Sequence, residues 1–176
     1  GKESNMVSTT QQKMLDGLLV AMRAEHEGEH FYRMCAASTS DPKGKEVLAG
    51  LAEEEKAHAA FLKSQHQSIL DTGKADDGLK LGEASLLDGP SPIFSDGIRG
   101  RLEKAQAEMT ILAVGAQLEL SASQHYRALS EEAADPVVKA FYKRLAEWEI
   151  GHYRALIAQQ DALQDDYWDK AGFAPF

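Results

Sequence analysis

Shifting the sequence by 94 positions lays residues 119–159 over residues 25–65 without a gap, and this internal repeat limits the possible folds more than any other feature. Glu25 falls on Glu119, Tyr32 on Tyr126, Arg33 on Arg127, Asp41-Pro42 on Asp135-Pro136 and Lys45 on Lys139. Further along, Leu51-Ala52-Glu53 falls on Leu145-Ala146-Glu147, Glu55 on Glu149, His58 on His152 and Gln65 on Gln159. Each half reads as one helical hairpin. Caps and leucines would recur in any duplicated hairpin, but Glu and His recurring at equivalent points suggest that each half supplies half of a symmetric polar site.

The helices follow from periodicity and stop signals. Met14, Leu18, Ala21, Tyr32 and Cys35 recur at three and four spacing, which predicts a first helix over about 11–37. Asp41 suits an N-cap and Pro42 a first helical residue, so a second helix is expected over 42–70. Asp135-Pro136 repeats that start, giving helices over about 97–132 and 136–163. Residues 71–96 hold Gly73, Gly78, Gly82, Gly89, Pro90 and Pro92 with no sustained period, and read as one long crossover connection. Short turns within each pair and a long connection between pairs suit an all-α, ferritin-like four-helix bundle forming one domain over residues 1–176. The tail, 164–176, with Tyr167, Trp168 and Phe173, is expected to pack as a flap. Gly1 reads as a cloning remnant on frayed first residues.

Composition excludes several classes. Cys35 is the only cysteine, so one chain of this sequence builds no disulfide, four-cysteine knuckle or iron–sulfur cluster, and Cys35 is read as small apolar packing. The formal charge of -9 argues against nucleic acid or an anionic membrane surface as partner. No stretch approaches the ~18 apolar residues of a membrane span, and residues 1–12 lack a hydrophobic signal core, so a reducing, cytoplasmic setting is expected.

The chemistry lies in the interrupted apolar stripes. On helix two, Leu48, Leu51, Glu55, His58 and Leu62 share a face, and on helix four Tyr142, Leu145, Glu149, His152 and Leu156 do the same. Glu25 and Glu119 interrupt the stripes of helices one and three. Four buried carboxylates, each costing on the order of several kcal/mol, require a counter-charge, and these inner stripes hold no Lys or Arg. Glu from two helices plus Glu-x-x-His from two others is a donor pattern of di-iron and di-manganese bundles. Six metal ligands are therefore expected, Glu25, Glu55, His58, Glu119, Glu149 and His152, around two iron ions, with manganese or zinc as possible substitutes.

Glu25 with Tyr32, the run Leu51 to His58, Glu119 with Tyr126, and the run Leu145 to His152 resemble the rubrerythrin-related ferritin-like proteins over about residues 11–164. The resemblance implies Glu25 and Glu119 as terminal ligands, Glu55 and Glu149 as bridges, His58 and His152 as one ligand to each ion, and Tyr32 and Tyr126 as hydrogen-bond donors behind them. Two departures stand out. Rubrerythrins carry a rubredoxin module with paired cysteines, which is not found here, and a further Glu one turn after the helix-three ligand, where this chain has Ala122.

Other polar residues receive plainer readings. Tyr32 and Tyr126 lie two turns from Glu25 and Glu119, where they orient carboxylates or pass electrons, or simply fill the interior. His26 and His30 are read as solvated, and Glu27, Glu29, Glu53, Glu54 and Glu147 as exposed helical charge. Gln65 and Gln159 are expected to close a polar layer or a channel mouth. The expected function is a redox enzyme that reduces peroxide or dioxygen with electrons from a separate, rubredoxin-like carrier, working as a homodimer. Competing readings are a ferroxidase that handles iron and a metal-stabilised bundle with no catalysis.

Overall fold

The computed structural model describes residues 8–84 and 102–171. They form an all-α four-helix bundle: α1 (Thr9–Ser38), α2 (Pro42–Thr72), α3 (Leu102–Glu132) and α4 (Pro136–Ala171), with no strand among the described residues.

The ends of these helices are set by local chemistry. Ser8 caps α1 in a reciprocal box with Gln11. The Asp41 side chain accepts from the Gly44 N–H at 2.9 Å, with Pro42 in the first turn, and Asp135 accepts from the Val137 and Val138 N–H groups at 2.8 and 3.2 Å. Gly73 ends α2 at φ 76, a left-handed conformation that glycine adopts without a Cβ penalty. Helix four runs on to Ala171 rather than stopping near Leu163, because neither Gly nor Pro interrupts residues 152–171. The first part of the expected tail flap is therefore helix, and 172–176 lie outside the described residues, as do 85–101, with the expected start of helix three.

Within each hairpin the helices pack along their length, and α1 also touches α3. Two apolar clusters fill the interior. One joins Leu15, Leu18, Leu62, Ile69, Tyr126, Phe141 and Leu145; the other joins Tyr32, Cys35, Leu48, Leu51, Leu112 and Leu156. The first thus gathers the beginning of α1, the end of α2, the end of α3 and the beginning of α4, so α1 runs antiparallel to both α2 and α3. It follows that α2 ends at the opposite end of the bundle from the start of α3, roughly 45 Å away for helices of this length. A long connection is a geometric necessity.

The described part of that connection, residues 73–84, is tied to α2 and α4. Gln65 donates to the Asp76 carbonyl at 2.8 Å and accepts from the Asp76 N–H at 2.9 Å. Leu81 is buried in the first cluster, and Arg144 donates to the Gly82 carbonyl. Gln65 therefore clamps the connection rather than closing a channel. Gln65→Ala leaves both Asp76 backbone groups without their partner and should destabilise the protein by about 1–3 kcal/mol, read from urea denaturation.

Candidate metal centre

Ala21 and Tyr32 bracket Glu25, Leu51 and Leu62 bracket Glu55 and His58, Ala116 and Tyr126 bracket Glu119, and Leu145 and Leu156 bracket Glu149 and His152. The six polar side chains thus share one layer between the apolar clusters, and all are buried. They form two overlapping groups, Glu25, Glu55, His58 and Glu149, and Glu55, Glu119, Glu149 and His152. In each group one donor atom per residue lies within 4.8 Å of the others. Glu55 and Glu149 belong to both groups.

Each imidazole turns its Nδ1 inward. His58 Nδ1 lies 3.3 Å from Glu25 Oε2 and 3.0 Å from Glu149 Oε1. His152 Nδ1 lies 3.4 Å from Glu119 Oε1 and 3.8 Å from Glu55 Oε1. Each thus meets a glutamate of its own hairpin and one of the other. The tyrosines cross in the same way: Tyr32 on α1 donates to Glu119 on α3 at 2.5 Å, and Tyr126 on α3 donates to Glu25 on α1.

The donor set fits a cation. Glu55 Oε1, Glu149 Oε2 and Nδ1 of His152 are buried without a hydrogen-bond partner. Buried acceptors in that number are expensive in an apolar layer, and a positive ion would satisfy all of them. Among the described residues no Lys or Arg is buried to serve instead. These buried Glu and His groups could hold a metal ion.

Electrostatics in the metal-free protein reflect the same crowding. Burial, and then the charges of Glu25 and Glu119, push the Glu55 carboxyl well above its ordinary 4.5. Burial and the charges of Glu55, Glu119 and Glu25 do the same to Glu149. Burial would lower His152, but its contacts with Glu119 and Glu54 outweigh that and raise it from 6.5 to about 9. For Glu119, burial is outweighed by contacts with Glu149, His152 and Tyr32, and its pKa is lowered. Burial, with Glu119 against Tyr32 and Glu25 against Tyr126, holds both phenols well above 10, so they remain protonated donors.

A cavity of about 240 Å³ between α1 and α3 reaches this layer, with Glu55, Glu119 and Glu149 at its floor and Gly28, Ala122 and His125 on its walls. Gly28 is small of necessity: a Cβ there would stand 2.8 Å from Glu55 Oε2. His125 has a buried Nε2 without a hydrogen-bond partner.

Of the plainer sequence readings, most correspond to what is observed. His26 and His30 are exposed, and Glu53 pairs with Arg33 at the surface at 2.7 Å. Glu29 is half-buried and also pairs with Arg33, at 3.1 Å. Cys35 is buried in the second cluster. Glu54 requires a correction. Expected to face solvent, it turns into the α2–α4 interface, where it lies 2.5 Å from His152 Nε2 and accepts the Trp148 indole N–H at 3.1 Å. Its position is only one residue from the inner stripe, and α4 packs close enough to capture it. The repeat carried a signal for this, since Glu54 aligns with Trp148, a mismatch beside otherwise matching Glu and His residues.

Comparison with known proteins found no matching family model, no matching curated protein and no matching solved structure.

The pKa shifts fix a sign for the pH dependence of the metal-free bundle. Groups raised on folding stabilise it below their ordinary values and lose that contribution as pH rises through the folded ones. Glu55, Glu149 and His152 act in this direction, while Glu119 weakens the fold only as pH falls below the ordinary carboxyl range. The melting temperature of chelator-treated protein should fall as pH rises from above 4.5 to about 9. A divalent metal should flatten the decline; a rise over that interval in the metal-free protein would contradict the charge assignment.

Proposed function

We propose that this chain is a di-iron carboxylate oxidoreductase that reduces a small oxidant, peroxide or dioxygen, with electrons from a separate carrier protein. The observation that carries the reading is the pair of overlapping Glu and His groups sharing Glu55 and Glu149. Six oxygen- and nitrogen-donating residues with one imidazole per ion suit iron(II) or manganese(II) better than thiolate-preferring metals. Glu25 with His58 and Glu119 with His152 would hold one ion each, and Glu55 and Glu149 would be shared. When bound, a ferrous pair supplies two electrons, which with two protons convert peroxide to two waters.

The protein's own groups position and select. Tyr32 and Tyr126, held neutral, fix the Glu119 and Glu25 carboxylates across the bundle and so limit how far those ligands can swing. The α1–α3 cavity supports a small substrate, because its volume of about 240 Å³ is walled in part by Val20, Leu118 and Ala122 and ends on ligand carboxylates.

Anaerobic loading of metal-free protein with ferrous iron should give two irons per chain, oxidised faster by peroxide than by dioxygen. Faster oxidation by dioxygen with continued iron uptake would favour iron handling, and no stoichiometric binding would remove the reading. Glu55→Ala with Glu149→Ala should abolish iron binding yet leave helicity, by circular dichroism, and metal-free melting temperature undiminished, because it relieves buried repulsion. Ala122→Phe should leave the iron count intact but slow oxidation by peroxide on the order of tenfold, about 1.4 kcal/mol of added barrier.

A further inference from the structure

The symmetry of the ligands does not extend to the residues behind them. Residues 54 and 148 are equivalent in the repeat, each directly before a shared glutamate, and one is Glu where the other is Trp. Both side chains enter the α2–α4 interface. His152 turns Nδ1 toward the ligand layer, and its Nε2 lies 2.5 Å from Glu54 Oε2, a distance at which the carboxylate accepts the ring proton. The same Glu54 oxygen is held by the Trp148 N–H at 3.1 Å. His58 also turns Nδ1 toward the layer, but its Nε2 is buried without a hydrogen-bond partner. The ring beside it is Trp148, perpendicular and 4.5 Å away between centroids.

We propose that Glu54 is a positioning residue that makes the two metal positions unequal, so that a divalent cation fills the His152 side first and is held there more tightly than on the His58 side. This rests on reading the layer as a two-ion centre. A carboxylate that accepts from the outer nitrogen of a ligating imidazole locks the ring's tautomer and orientation and makes the inner nitrogen a stronger donor, an effect of about 10–100-fold on metal affinity. His58 has an aromatic ring in the equivalent place, which cannot take the proton of its outer nitrogen as an oxygen does. Trp148 contributes to both sides of the inequality. It occupies the place where an acceptor for His58 would sit, and its indole N–H fixes the acceptor that serves His152. The His152 side also has a nearby negative charge for which the repeat has no counterpart behind His58.

Manganese(II) titrated into metal-free protein, with the free ion followed by electron paramagnetic resonance, should bind in two steps separated by about 10–100-fold in affinity. Glu54→Gln keeps the shape and an oxygen for Trp148 but removes the charge. It should weaken the tight step by about tenfold or more while leaving the weak one in place. His152→Ala should remove the tight step and His58→Ala the weak one, which assigns the steps without relying on the Glu54 variant. In a Trp168→Phe background, fluorescence of Trp148 should change with the first equivalent of metal more than with the second. Two equal steps in the unaltered protein, or a Glu54→Gln variant that weakens both steps alike, would overturn the inequality and leave a two-ion centre standing. Absence of stoichiometric manganese and iron binding would overturn both.

Discussion

Four carboxyl groups and two imidazoles share one layer of a bundle that is otherwise packed with leucine, alanine and aromatic side chains, and the rest of the structure is organised around that layer. Taking a carboxylate out of water costs on the order of several kcal/mol even after relaxation, and each further one nearby adds repulsion. The fold answers with two apolar clusters, one above and one below, so the polar groups are confined to a single level, in two overlapping groups that share Glu55 and Glu149. The crossed tyrosines belong to the same solution. Each supplies a hydrogen bond to a carboxylate of the layer, and each comes from the opposite hairpin.

That crossing is what makes the duplication productive. Neither hairpin holds a complete donor group: Glu25, Glu55 and His58 need Glu149 from the second half, and Glu119, Glu149 and His152 need Glu55 from the first. The layer therefore couples the two halves directly, alongside packed pairs such as Phe61 on Phe141. Any ion bound there would be linked to the docking of the hairpins as well as to chemistry. The duplication stays exact at the six polar residues of the layer and breaks one residue away, at Glu54 and Trp148, where a change of side chain alters the environment of His152 without changing His152 itself.

The two open faces of the layer differ in consequence. Between α1 and α3, Gly28 and Ala122 leave a cavity that ends on carboxylate oxygens. Between α2 and α4, Glu54 and Trp148 close the interface around the imidazoles, and the clamp of Gln65 on Asp76 holds the start of the connection against the same side. Small residues on one face and large hydrogen-bonded ones on the other make the two sides of the layer unlike.

Much of this was legible from residue order alone because it depends on local rules. Asp41-Pro42 and Asp135-Pro136 mark helix starts through backbone groups only two or three residues away, and Glu-x-x-His puts two side chains on one face because a helix turns every 3.6 residues. The repeat added the inference that the two faces meet. Residue order could not say how each helix is rotated about its own axis against its neighbours. Glu54, a residue away from the inner stripe, reads as solvent-facing on an isolated α2 and becomes a partner of His152 only because α4 lies against it. The crossed tyrosines, the cavity beside Ala122 and the contrast between the outer nitrogens of His58 and His152 are of the same kind. The sequence by itself determined the order of the four helices, the starts at Pro42 and Pro136 and the six polar residues of the layer, since these follow from spacing along the chain. Tertiary structure alone decided which groups stand behind those residues and which face stays open, since both depend on distances between helices that no spacing along the chain encodes.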